Sequence, residues 1–343
     1  MADARRAGRL RYSRDSFHRG EVREGSVMKT LKGTLLAAAV AAMTVASLAG
    51  PAHAARTGHA YGRERGIVLA NGVATRAGHV LPLLYHGGPV MRVNTTYAIY
   101  WVPSGSTMAS NYKTTINRYF TDVSADSGKT SNVYFTETQY TDTTGAIAYS
   151  STFGGAIVDT NPFPANGCSV YSGVTRCLTD AQISAEVRKV VNAHGLPSDG
   201  THAYFMFTPK GVGGCFAATG NTCAFTYYCA YHSNLNNLLY ANMPYANTKP
   251  AACDSGESPN GNDADATLNV TSHEHREMIN DPYGTAWWDK RGYEGSDKCA
   301  WNFGASLGTA ANGSLYNQLI NGHQYYLQQE WSNAKSGCVL RGL

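Results

Sequence analysis

Charge is scarce in this sequence. Asp, Glu, Lys and Arg make up 15% of its 343 residues, where about a quarter is usual for a soluble domain. The formal charge of +4 resides at the start of the chain. After residue 54 there remain 19 basic and 20 acidic side chains. No basic surface is left to meet a phosphate backbone, which excludes a nucleic-acid partner. Other signatures are missing too. No C-x-x-C pair exists, so a cysteine-bound structural zinc has no support. No apolar run after residue 54 reaches membrane-spanning length, and no internal repeat is visible. A serine or cysteine triad has no local support. The Gly-rich stretch Gly211-Val-Gly-Gly214 lacks the Lys-Ser/Thr of a phosphate loop and reads as a turn.

The first 54 residues read as an address. Met28-Lys-Thr-Leu-Lys32 is a short basic region, residues 35–48 are almost unbroken Ala, Val, Leu and Met, and Ala52-His-Ala54 has the small-x-small form of a cleavage site. We expect a secretory signal over residues 28–54. Residues 1–27 read as an over-long start upstream of Met28, or as disordered. Residues 55–80 read as a flexible leader, and residues 81–343 as a single globular domain.

All eight cysteines follow the signal: Cys168, Cys177, Cys215, Cys223, Cys229, Cys253, Cys299 and Cys338. An even number in an exported chain reads as disulfides. Spacing does not dictate connectivity, but loop closure favours sequence neighbours, 168–177, 215–223, 229–253 and 299–338.

The mature chain reads as α+β, a mixed sheet packed by helices with disulfide-stapled loops. Residues 97–102 (YAIYWV), 132–138, 202–208 and 224–231 are strand candidates, with later strands over 324–331 and 338–340. Met108, Tyr112, Ile116, Tyr119, Phe120 and Val123 repeat at helical spacing. Thr179-Asp-Ala-Gln182 is a capping box ahead of a helix with Ile183, Val187, Val190 and Val191 on one face.

One helix carries the chemistry. Residues 263–282 read DADATLNVTSHEHREMINDP, with Asp263 or Asp265 to cap the start and Pro282 to end it. On a helical wheel Asp265, Asn269, Ser272, Arg276 and Asn280 fall together as a solvent stripe. His273, Glu274, Glu277 and Asp281 fall off that stripe, on a covered wall. Carboxylates and an imidazole there require pairing, protonation or a cation. His273 and Glu277 are i and i+4, so one helix can offer two ligands to one ion. Glu274 lies beside them as a general base.

This is the arrangement of H-E-x-x-H zinc hydrolases with Glu277 in place of the second His. Glu294 is the expected third ligand, with Asp281 as its rival, and Asp297 would orient a ligand from behind. The additional carboxylate hardens the site, which weakens the case for zinc and admits calcium or manganese, with zinc still the first choice of divalent cation. His275 falls on the apolar side and reads as a packed core residue. Glu274 and Glu277 are too close, and too much on one side, for a glycosidase pair. The oxygen-rich residues 259–265 read as a helix-initiating turn ahead of a calcium loop. His86, His202, His232 and His323 are scattered and read as satisfied side chains, although His323 could reach the site as a substrate contact. Trp287, Trp288 and Tyr293 are either core or a stacking surface, and Tyr293 is the second candidate contact.

Several segments together resemble the secreted phosphate-induced, EXORDIUM-like family in its bacterial branch. They are Tyr85-His-Gly-Gly-Pro-Val90 leading into YAIYWVP, Cys229-Ala-Tyr-His-Ser233, residues 272–282, Asp297-Lys-Cys299, and Glu330-Trp-Ser-Asn333 followed by Cys338. The resemblance spans roughly residues 80–343. It implies a secreted or wall-associated protein and supplies a location, not a reaction.

The function expected from the residues is a secreted, metal-dependent, peptidase-like hydrolase. His273, Glu277 and Glu294 would bind the cation and Glu274 would act as base. Its partner would be an extracellular peptide or a cell-wall polymer, and the chain would be a monomer. The alternative is a non-catalytic extracellular binding protein, in which the same carboxylates form a structural ion site or a salt-bridge cluster.

Overall fold

The computed structural model describes residues 66–73 and 80–343. The signal, the upstream start and most of the leader lie outside the described residues. The described part is a single α+β domain. Its centre is a six-stranded sheet of β1 (Ile67–Leu69), β2 (Asn94–Trp101), β3 (Ser151–Asp159), β4 (His202–Phe207), β5 (Tyr228–Leu235) and β6 (Leu238–Met243), in the order β1-β5-β6-β4-β2-β3. Strands β3, β2, β4 and β6 are parallel, β5 is antiparallel to β6, and β1 closes the edge antiparallel to β5.

Helices cover both faces. Parallel neighbours β2, β3 and β4 need crossovers, and α1 (Ser110–Ala125) and α2 (Asp180–Ala193) supply them. The capping box at Thr179 and Gln182 starts α2. The central helix α3 (Ala264–Asn280) lies beside α1, and its His275 ring meets Phe205 of β4 edge-on, as Phe120 of α1 also packs there. Tyr240 of β6 bonds Asp180 at the start of α2 and is in register with Tyr204. Successive strand residues point to opposite faces, so α2 lies on the face opposite α1 and α3. The same register aligns Phe205 with Ala241 and Ala241 with His232. His232 therefore points to the α3 side.

Four disulfides pair sequence neighbours, Cys168–Cys177, Cys215–Cys223, Cys229–Cys253 and Cys299–Cys338. No helix among the described residues is long and apolar enough to cross a membrane.

Several local expectations are corrected. Residues 132–138 form no strand. Asn132 accepts a hydrogen bond from the Tyr134 amide and starts the 3-10 helix Val133–Gln139. The Gly-rich turn is a strand, Val212–Cys215, parallel to Arg176–Thr179. Its glycines permit close approach, since a Cβ on Gly213 would come within 2.5 Å of the Tyr171 hydroxyl oxygen. The strand expected over 224–231 starts at Tyr228, because Phe225 takes a φ of 63° and turns the chain. The strand expected over 324–331 is broken into His323–Tyr325 and Glu330–Ser332. Between them the Leu327 and Gln328 amides bond the side chains of Asn317 and Asn269 rather than another strand. The flexible leader is corrected in its middle, where Ile67 and Val68 are buried in β1.

Candidate metal centre

The seventeen residues of α3 are all buried. The solvent stripe does not exist. Its polar side chains are spent on loops that cover the helix. Asn269 accepts from the Gln328 amide, Arg276 pairs with Glu330 at 2.6 Å, Asn280 donates to Glu137, and Asp265 accepts from Ser258 and Asn260. A wheel treats polar residues as solvent-facing, whereas these bond backbone and side chains of residues 258–260, 137 and 328–330. His275 is a satisfied core residue, held by the Tyr134 hydroxyl and Asn94 at 2.9 Å each. Burial pushes its ring down to about 3, so it stays neutral.

The wall of α3 that carries His273, Glu274 and Glu277 meets two other elements. One is β5, which contributes His232. The other is the short helix α4 (Gly295–Lys298), begun by a capping box in which Glu294 and Asp297 bond each other's backbone. Cys299 tethers the end of α4 to Cys338. The capping box places both acidic residues against α3, where the Asp297 amide donates to Glu277 Oε1 at 2.9 Å.

Two groupings result, and they share Glu277. His273 Nε2 stands 3.1 Å from Glu277 Oε1 and 3.4 Å from Asp297 Oδ1. His232 Nδ1 stands 3.0 Å from Glu274 Oε2 and 3.9 Å from Glu277 Oε2. Within each grouping the ligand atoms of all three residues lie within 4.8 Å of one another. Glu294 sits on the His232 side, its Oε1 3.8 Å from His232 Nε2. That separation is too long for a hydrogen bond, and close to the roughly 3.4 Å between two donors on one tetrahedral ion. Asp281 caps the end of α3, with Oδ1 accepting from the Thr285 and Ala286 amides at 2.6 Å each, and it joins neither grouping.

The electrostatics are lopsided. Glu274, Glu277, Glu294 and Asp297 face two imidazoles, and among the described residues no lysine or arginine pairs with any of the four. The nearby buried bases are taken, Arg276 by Glu330 and Lys298 by Asp289. Glu277 Oε2, Glu294 Oε1 and His273 Nε2 make no hydrogen bond. Burial raises the Glu274 carboxyl to about 8. Burial and the neighbouring carboxylates push Glu277 and Glu294 far above the usual range. Burial lowers His232 to about 4. So many buried acids without a base coexist as charges only around a positive ion.

One contact runs the other way. The Gln328 amide donates to Ser296 O at 2.9 Å and to His273 Nδ1 at 2.8 Å, while its Oε1 accepts from the Trp301 amide. An accepting Nδ1 places the ring proton on Nε2, toward Glu277 and Asp297. In this tautomer the Nε2 proton faces Glu277 and Asp297, although the ring makes no hydrogen bond to either.

The sequence-predicted residues thus divide. His273, Glu274 and Glu277 meet on one wall as their spacing requires. Asp297, expected behind the ligands, approaches the His273 ring directly, whereas Glu294 approaches His232. His323 is half-exposed and pairs with Asp122 on α1 at 2.8 Å, so it does not join the cluster. Tyr293 precedes Glu294, with the Arg291 guanidinium over its ring. Trp287 and Trp288 pair with Tyr85 and Leu84, and Trp288 stacks on His86. The G-x-S-x-G spacing at Gly304–Gly308 lies in an exposed loop, not at a strand-to-helix turn, and supports no serine nucleophile. His232 is the residue that sequence reading missed. Its signal is strand parity, legible only once β5 is extended past Tyr231. Compared with family models, curated proteins and solved structures, the chain matches none.

Proposed function

We propose that the protein is a secreted, metal-dependent hydrolase of peptidase type. The observation that carries this reading is Glu277, itself fully buried between two imidazoles, in a set of acids that has no lysine or arginine partner among the described residues. Glu277 is the common ligand. His273 and Asp297 approach it from one side, and His232 and Glu294 complete the set from the other. Two imidazoles suit zinc, and the surplus of carboxylate oxygen also suits manganese or calcium. A cation held there supplies Lewis acidity toward a carbonyl and a water.

The chain's own groups do the rest. Glu274 adjoins the cation ligands on the next residue of α3 and takes a proton at Oε2, the oxygen that His232 Nδ1 orients. Gln328 and Ser296 fix the His273 ring. The four disulfides suit an oxidising, extracellular location, and the EXORDIUM-like resemblance adds the cell wall as its place of action. The test is hydrolysis of an unfolded protein substrate, alongside metal content. EDTA should abolish activity and zinc restore it. Glu274→Gln should lose activity while keeping its metal. Hydrolysis that survives in Glu274→Gln, or a wild type that holds no metal, ends the reading.

The Gln328 contact favours a second reading. A proton on His273 Nε2 faces Glu277 and Asp297 and offsets part of their repulsion without any ion. The cluster would then be structural, and the protein a non-catalytic binder of wall polymer or of a partner protein, with Tyr and Trp carrying the contact. Retention on insoluble polysaccharide after EDTA treatment, equal in wild type and Glu274→Gln, supports that alternative.

A further inference from the structure

A hydrolytic site must be reached by its substrate, and this one is shut. His273, Glu274, Glu277 and Glu294 have no exposed surface, and His232 has 7%. Part of the closure comes from far upstream in the chain. Strand β1 pairs with β5 so that Ile67 faces Tyr231 and Val68 faces Ala230, next to His232. The Gly66 carbonyl accepts from the His232 amide at 2.8 Å. The Gly66 amide donates to Glu294 Oε2, and the Val68 amide donates to Glu274 Oε1 at 3.1 Å. Trp301 holds the Leu69 carbonyl at 2.8 Å. One extended segment is thus paired to a sheet edge and bonded through its backbone to two acids of the cluster.

Two further features mark this segment as an occupant of a groove. It is joined to the rest of the fold by no disulfide, since all four bridges lie after residue 167. Its contacts to the cluster are made by backbone amides, which every peptide possesses. Gly66 also sets a shape. Its φ is +74°, and a Cβ there would come within 2.8 Å of the His232 carbonyl oxygen and 2.9 Å of its ring. No side chain fits between the strand and the imidazole. Ile67 and Val68 are buried, at 2% and 0% exposure.

We propose that Gly66–Leu69 is an internal occupant of the peptide-binding groove, and that the groove's external ligand is an extended peptide with glycine beside His232 followed by two branched apolar residues. The proposal deepens the hydrolase reading and rests on it for the word substrate. The groove itself stands on the strand pairing and the two amide–carboxylate bonds. The segment must leave β5 before any peptide reaches Glu274.

The test uses the full chain and a fluorescent, acetylated peptide Gly-Ile-Val-Leu-Ala-Asn-Gly, the sequence of residues 66–72. Gly66→Ala, which drives a methyl group against His232, should release the strand. Val68→Pro removes the amide that reaches Glu274 and should do the same if Gly66→Ala fails to fold. In a folded variant the amides of residues 67 and 69 should exchange with solvent at least about tenfold faster than in wild type. The variant should capture the peptide at least about tenfold more tightly than wild type, and a peptide carrying alanine at its first position should bind correspondingly worse. Slow exchange in both variants overturns the proposal, as does fast exchange without peptide capture. Capture in EDTA by a protein that holds no metal leaves the groove standing and ends the hydrolase reading. Stoichiometric metal with no capture does the reverse.

Discussion

The Val68 amide and the Glu274 carboxylate are 206 positions apart in sequence and 3.1 Å apart in space. That contact joins the edge of the sheet to the middle of α3. It ties the carboxylate proposed as the base to a strand that lies outside the domain expected from the sequence. The cluster is therefore a product of three distant segments, residues 66–69, β5 and the α3–α4 region, and none of them forms it alone.

Glu277 is where removal should be most informative. Glu277→Gln keeps an acceptor for the Asp297 amide but removes the charge common to both groupings. Zinc affinity measured by calorimetry should fall by about a hundredfold or more. The metal-free protein should gain roughly 1–3 kcal/mol in urea unfolding with EDTA present, because one buried acid without a basic partner is gone. A variant that binds zinc normally contradicts the ligand assignment.

Gln328 decides which nitrogen of His273 carries the proton. Gln328→Glu would accept from Nδ1–H and leave Nε2 free toward Glu277 and Asp297. Zinc should bind about tenfold more tightly to this variant. The metal-free fold should lose about 1–3 kcal/mol, since Ser296 O loses its donor. Weaker zinc binding would place the ion away from His273.

His275 separates folding from metal binding. His275→Leu strands the Tyr134 hydroxyl and the Asn94 amide oxygen in the core. Unfolding free energy should drop by about 2–4 kcal/mol, while metal content per folded chain stays at the wild-type level. Loss of metal in folded His275→Leu would make it a participant rather than core.

The Cys299–Cys338 bridge closes a separation of 39 residues directly after α4. Replacing both cysteines by serine should cost about 4 kcal/mol on the loop-entropy account. It should also loosen Asp297, and so weaken metal binding more than removal of Cys168–Cys177 does. Equal effects of the two replacements on metal affinity would show that the tether does not position the site.

Much of the site was legible because one helix carries it. His273, Glu274 and Glu277 are fixed by i, i+1 and i+4 spacing, and Glu294 and Asp297 follow at the next helix. His232 was hidden because the expected strand stopped at Tyr231, one residue short of it, whereas the strand runs on to Leu235. The solvent stripe of α3 failed for a related reason. Asn269, Arg276 and Asn280 look exposed by polarity, but their partners, Gln328, Glu330 and Glu137, belong to segments whose placement no local pattern reveals. The parallel core strands were partly visible as apolar runs, whereas β3, with Gly154 and Gly155 in its middle, and β6 gave no clear strand pattern. The disulfide pairing was readable because each bridge joins sequence neighbours and loop closure is cheapest there.

The central claim is that this buried cluster holds a divalent cation. Its most direct test is the metal content of the purified mature protein by mass spectrometry, after gel filtration in buffer treated to remove free metal. The account predicts a stoichiometric divalent ion in the wild type and only traces in Glu277→Gln. Traces in both proteins, with both folded, would contradict it.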